Sequence, residues 1–129
     1  MHNGDYGSAA DTYRTLLARP LDEAMEAQSL LGLGTAQLRD QAYAGAADAF
    51  RQLRAEHPES KVAQDAAFLL GDALVGAGTP LSATEAYTSY LRAGTVITPY
   101  VNRSLGDAYG TGGKHTAAVE AYEKAVVEA

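Results

Sequence analysis

The chain has 129 residues, 47% hydrophobic and 20% charged, which predicts one globular domain rather than a disordered segment. It has no cysteine, so disulfides, thiolate nucleophiles and cysteine-bound zinc are excluded. The net charge of -6 argues against binding nucleic acid or an anionic membrane, and no apolar run reaches the roughly 18 residues of a membrane span, so we expect no membrane insertion.

Helical spacing of apolar residues, interrupted by glycine and proline, predicts seven helices and no strand. Thr79-Pro80 and Thr98-Pro99 are typical of helix starts, and glycines such as Gly78 are typical of helix ends. In chain order the predicted helices span residues 5–18, 22–39, 43–56, 61–76, 80–93, 99–110 and 114–128. The short connections make successive helices antiparallel neighbours.

Two short phrases recur along the chain at a nearly constant period. The first is Leu-Gly, at residues 33–34, 70–71 and 105–106. The second is an alanine followed four residues later by an aromatic residue: Ala9 and Tyr13, Ala46 and Phe50, Ala83 and Tyr87, and Ala118 and Tyr122. Each Leu-Gly glycine precedes the next such alanine by 12 residues, so both phrases belong to one repeated two-helix unit.

The small residues of these phrases predict where two helices cross. Gly34, Gly71 and Gly106 would let the helix axes approach to about 8 Å, the short end of the usual range. The leucines and aromatic residues beside them then fill the core of the stacked pairs, which is a more economical explanation than a cofactor-binding stripe. We therefore predict no cofactor, and we expect Gly71→Leu to unfold the middle repeat by overpacking.

The repeated unit resembles the tetratricopeptide repeat, in which Leu-Gly belongs to the first helix and the alanine and aromatic residue to the second. The large first-helix positions depart from the family pattern: Leu30, Ala67 and Asn102 replace the leading aromatic, and Gln37 and Leu74 replace the later tyrosine, which Tyr109 keeps. Repeat lengths of 35 to 37 residues and the linker at residues 58–60 (Pro-Glu-Ser) are similar to bacterial envelope members of the Tol-Pal-associated type.

The resemblance implies an all-α, right-handed superhelix of about seven antiparallel helices. Residues 1–129 are then a single domain, in which the second helix of a partial repeat (4–20) is followed by repeats at 22–58, 61–94 and 98–129. Both ends look unfinished, because the chain opens and closes on a second helix. Val126, Val127 and the apolar face of the first helix would be partly exposed, so the chain is interpreted as an excerpt of a longer protein.

In this family the first helices line a concave groove, which implies a site for a peptide or partner helix. Positions outside the core stripe of the first helices give the candidate residues: Leu31, Thr35, Arg39, Asp65, Phe68, Asp72, Tyr100, Arg103 and Asp107. The Lys and Asn that clamp a C-terminal carboxylate in chaperone-binding relatives are absent here. Leu31, Phe68 and Tyr100 instead form an apolar patch beside carboxylates, which suits a peptide with apolar anchors and a basic residue.

Catalytic and metal sites are not predicted. Asp72 and Asp107 lie at equivalent positions, but no base or orienting group is placed by spacing to complete an active site, so we do not expect an enzyme. The histidines, His2, His57 and His115, show no metal-ligand spacing.

Three classes of function follow from this reading. The first is a protein-interaction scaffold acting through the groove. The second is a structural module that self-associates, or continues a longer array, through its end helices. The third is a regulatory domain of an enzyme whose catalytic part lies elsewhere, because fold alone does not determine function. The sequence does not identify the protein or peptide partner, and it leaves the cellular compartment unknown.

Overall fold

The computed structural model describes the backbone of residues 3–92 and 98–128 and the side chains of residues 6–92 and 101–125. Over these ranges the chain forms seven α-helices and no strand, which confirms the predicted all-α fold. The helices are α1 (Asn3–Leu17), α2 (Glu23–Arg39), α3 (Tyr43–Glu56), α4 (Lys61–Gly76), α5 (Pro80–Arg92), α6 (Thr98–Thr111) and α7 (His115–Glu128). The predictions for Tyr100, Val126 and Val127 concern side chains that lie outside the described ones.

Each helix packs against the next one along the chain, and α2 also packs against α4. This arrangement places the first helices of successive repeats, α2 and α4, side by side. One hydrophobic core of alanines, leucines and aromatic residues runs through α2 to α7. Phe50 and Tyr87 are among its largest fully buried side chains.

The helix crossings within the repeats are built on the predicted glycines. A Cβ atom on Gly34 would come closer than 3.0 Å to the ring of Phe50, and one on Gly71 would come equally close to the ring of Tyr87. In both repeats the aromatic ring of the second helix therefore lies directly against the backbone of the first helix. Only glycine leaves room for this contact, because any side chain would occupy the same space.

The first helix of every repeat ends on a residue in the left-handed conformation. Gly78 and Gly113, at φ 86° and 83°, follow α4 and α6. The equivalent residue after α2 is Gln41, at φ 62°, which the sequence analysis did not identify. The next residue closes the helix in each case; after α2, for example, the Ala42 N–H donates to the Gln37 carbonyl at 2.8 Å.

The outer face of α7 is more exposed than the equivalent faces of the earlier second helices. Val119 is 54% exposed, whereas Thr84, at the equivalent place on α5, is 9% exposed. Tyr122 is 38% exposed, whereas the equivalent Tyr87 is 2% exposed. No described residue covers this face. Among the described helices, none combines the length and the apolar character needed to cross a lipid bilayer.

Candidate functional site

The first row of the predicted groove lies on α2 and is completed by α1. Leu31, Thr35 and Arg39 line a cavity of about 360 Å³ together with Tyr6 and Tyr13 of α1. Leu31 is partly buried against the core, whereas Arg39 is exposed. The structure thus brings three predicted residues to one cavity. It adds two tyrosines that the sequence analysis missed, because helical spacing within α2 carries no information about what α1 places beside it.

Tyr13 is held in that cavity by a glycine. A Cβ atom on Gly32 would come closer than 3.0 Å to the ring of Tyr13, so the ring lies against the α2 backbone. This contact repeats, two residues earlier on α2, the ring-on-glycine contact of the crossing at Gly34. The cavity therefore has one wall fixed by close packing.

The second row lies on α4 and contains Asp65, Phe68 and Asp72. Asp65 is exposed in the first half of the helix. Phe68 is partly buried, with its ring centroid 5.8 Å from that of Tyr87 and 5.6 Å from that of Tyr90, in tilted arrangements. These distances are those of favourable aromatic pairs. Phe68 is thus supported by two core rings, and only part of it is available to a ligand.

The two aspartates that follow the crossing glycines accept hydrogen bonds from tyrosines. Tyr87 Oη donates to Asp72 Oδ1 at 2.6 Å, and Tyr122 Oη donates to Asp107 Oδ1. Burial raises the pKa of Asp72, and the hydrogen bond from Tyr87 partly offsets that rise. The hydrogen bond to Asp107 is the main cause that raises the pKa of Tyr122.

This arrangement gives Asp72 and Asp107 a role within the fold, besides the predicted role toward a ligand. A sequence signal for it was present. Aspartate follows the crossing glycine in the repeats whose second helix carries tyrosine, whereas Thr35 follows it in the repeat that carries Phe50. Phenylalanine has no hydroxyl to donate, so that repeat needs no carboxylate.

The third row lies on α6. Arg103 and Asp107 are exposed there, so both are accessible to a partner. The side chain of Tyr100, the third member of the predicted apolar patch, lies outside the described residues. The structure therefore places Leu31 and Phe68 on neighbouring helices and leaves the Tyr100 part of the patch as a prediction.

A second polar cluster, away from the groove rows, joins α2 to the end of α3. His57 Nε2 lies 3.1 Å from Glu26 Oε1, and the His57 side chain is only 9% exposed. One ligand atom each from Glu26, Glu56 and His57 lie within 4.8 Å of one another. The sequence shows no ligand spacing around His57, because Glu26 is 31 residues away and only the fold brings it close.

Comparison with known proteins gives a consistent picture of the fold. A family model described as tetratricopeptide repeat matches residues 1–61, 46–96 and 68–129. No curated protein matches the chain.

Among solved structures, one of MamA is 24% identical over 95% of this chain and 68% of that chain, with a TM-score of 0.80. A second MamA crystal structure is 25% identical, covers 95% of this chain and 63% of that chain, and has a TM-score of 0.79. The repeat domain of Arabidopsis FLU is 20% identical, covers 81% and 95%, and has a TM-score of 0.72. The chain thus spans about two thirds of the MamA chains. These likenesses concern the helical solenoid, not a ligand.

Proposed function

Because the chain belongs to the tetratricopeptide repeat family, whose domains bind protein partners, we propose that it is an interaction scaffold that binds a peptide or partner helix in its concave groove. Proteins of this family are typically non-enzymatic, and we propose no catalytic role. The ligand class follows from the chemistry of the groove rows.

The observation that carries the proposal is the cavity shared by α1 and α2. Its walls are the rings of Tyr6 and Tyr13 and the side chain of Leu31, and Arg39 stands at its exposed edge. An apolar anchor side chain that enters such a cavity would be largely removed from water, which is how a few residues supply most of the affinity of an interface. A neighbouring acidic group of the ligand would meet Arg39.

The exposed carboxylate of Asp65 extends the proposed site along α4. We expect a basic residue of the ligand to lie there, as the sequence analysis proposed. Asp72 contributes less to that attraction than the sequence suggested, because Tyr87 already donates to it and burial favours its neutral form. Arg103 and Asp107 would contact the far end of a longer ligand.

Selection from a random peptide library, followed by affinity measurement with the selected peptides, tests this proposal. We expect Arg39→Glu on α2 to weaken binding at least about tenfold, the effect of losing roughly 1.4 kcal/mol. Arg51→Glu is the matched control, because Arg51 is also an exposed arginine and lies on the second helix α3. Equal effects of the two substitutions, or no effect of either, would contradict groove binding.

The exposed end face of α7 favours a second candidate function, self-association or continuation of a longer array. Val119 and Tyr122 are exposed there, whereas the equivalent residues of α5 are buried. Light scattering over a wide concentration range tests it, because self-association obeys mass action. Val119→Glu should dissociate an oligomer that uses this face, and Thr116→Glu, an exposed position on the same helix, should not. A monomer at every concentration would contradict self-association.

The finer resemblance, to bacterial envelope members, supports a proposal about location. It rests on the repeat lengths and on the linker at residues 58–60. Fractionation of the source cells, with detection of the native protein beside a periplasmic and a cytoplasmic marker, checks it. Recovery with the cytoplasmic marker alone would contradict an envelope protein.

A further inference from the structure

We infer that the junction of α2 and α3 is a binding site for a divalent transition-metal ion, with Glu26, Glu56 and His57 as ligands. Each of the three residues offers one ligand atom, and these atoms lie within 4.8 Å of one another. The set combines an imidazole nitrogen with two carboxylate oxygens, which are common ligands of zinc in proteins without cysteine.

His57 is the fixed member of this set. Its side chain is 9% exposed, and its backbone N–H donates to the Leu53 carbonyl at 2.9 Å, which ties the residue to the end of α3. Its Nε2 atom lies 3.1 Å from Glu26 Oε1. Two ligands bound about 2.0–2.1 Å from one tetrahedral zinc ion are about 3.3 Å apart, so this pair needs only a small shift to share an ion.

A cavity of about 390 Å³ gives this cluster access to solvent. Glu56 and His57 line it, and Glu23 and Glu59 add two further carboxylates. The described lining of the cavity includes no lysine or arginine that could neutralise these acidic groups. The space can hold the waters that complete the coordination of an ion bound by three protein ligands.

The two-helix unit of the repeat does not account for the cluster. The cluster lies within one repeat, so a contact that the unit requires would recur in the next repeat. The residues equivalent to Glu26 and His57 there are Ala63 and Gly94, which offer no ligand atom. Imidazole favours zinc, cobalt or nickel over magnesium and calcium, which prefer oxygen ligands alone. We therefore commit to zinc, with cobalt as a spectroscopic substitute.

Calorimetric titration of the untagged, metal-free protein with zinc chloride tests the inference. We expect one zinc ion per chain, and no comparable binding of magnesium. Glu26→Gln keeps a hydrogen-bonding side chain beside His57, and Glu56→Gln changes an exposed side chain, so both variants should fold. Each should weaken zinc binding at least about tenfold, since even outer-shell substitutions cost that much. His115→Gln is the control, because His115 is exposed on α7 and outside the cluster.

A second readout separates metal binding from a merely structural contact. Zinc should raise the melting temperature of the wild type but not of Glu26→Gln, while the two metal-free proteins melt alike. Cobalt should give a visible absorption band in the wild type that Glu56→Gln loses. The inference is overturned if zinc does not saturate a site, if both cluster variants bind zinc as the wild type does, or if His115→Gln removes binding instead.

Discussion

The hydroxyl of Tyr87 donates a hydrogen bond to Asp72 across the helix crossing at Gly71, with 2.6 Å between the oxygens. Its ring lies on the glycine while its hydroxyl reaches the carboxylate one residue further along α4. Tyr122 and Asp107 repeat the pair on α6 and α7. The bond holds the two helices of a repeat together, and it also partly offsets the rise that burial causes in the pKa of Asp72.

Removing the donor should destabilise the fold. Tyr87→Phe leaves the partly buried Asp72 carboxylate without this hydrogen bond, and we expect the free energy of unfolding to fall by about 1–3 kcal/mol. Chemical denaturation measures it. The double variant Tyr87→Phe with Asp72→Thr recreates the combination of residue types found in the first repeat, Phe50 and Thr35, and it should recover most of the loss. A double variant no more stable than Tyr87→Phe would contradict this account.

The raised pKa of Asp72 predicts that ionisation of this carboxyl destabilises the folded state, by an amount that depends on pH. Burial raises the pKa above its ordinary value of 3.8, so the folded state binds the proton more tightly than the unfolded state. The destabilisation is complete at pH values above the pKa of Asp72 in the folded protein, and it disappears as the pH falls toward 3.8. The amide oxygen of Asp72→Asn can still accept the hydrogen bond from Tyr87. This variant should be more stable than the wild type, most of all at neutral pH and progressively less on acidification. Denaturation at several pH values checks it, and a gain that grows on acidification would contradict it.

The crossing glycines should differ in their tolerance of a methyl group. Gly71→Ala places Cβ against the ring of Tyr87, which is 2% exposed and has nowhere to move, so we expect a loss of about 1–3 kcal/mol. Gly106→Ala meets the ring of Tyr122, which is 38% exposed and can rotate away. The better helix propensity of alanine, about 1 kcal/mol, should then make that variant nearly neutral. Thermal unfolding compares the two, and equal losses would refute the difference.

Replacing Gln41 with glycine should stabilise the protein. At φ 62° it occupies the left-handed conformation that Gly78 and Gly113 occupy in the other repeats, which costs a side-chain-bearing residue about 1–2 kcal/mol. Gln41→Gly should therefore stabilise the protein by about 0.5–1 kcal/mol after the entropy of glycine in the unfolded chain is subtracted. Gly78→Ala should lose stability for the same reason. Denaturation measures both, and a destabilised Gln41→Gly would contradict the strain.

The sequence predicted the helices well because its two repeated phrases fix both helix positions and crossings. Each observed helix boundary lies within two residues of its predicted one. Contacts between different helices were harder to predict, because they depend on how the helices pack and not on spacing within one helix. The wall that Tyr6 and Tyr13 add to the groove, and the approach of Glu26 to His57, are both of this kind. The left-handed conformation of Gln41 was not predicted, because a glutamine in the sequence gives no indication of it.

The rings that lie across Gly34 and Gly71 also determine where this molecule can bend. A ring seated on a backbone prevents the two helices of a repeat from sliding or separating without first withdrawing the ring from its place. The same lock spans two boundaries between repeats, because Tyr13 of α1 lies on Gly32 of α2 and Tyr43 of α3 lies on Gly76 of α4. Between α5 and α6, the side chain that a Cβ atom on Gly112 would meet is that of Leu81, not an aromatic ring. Among the described boundaries that one should therefore be the softest, and a partner that changes the curvature of the solenoid would tilt the last repeat against the others.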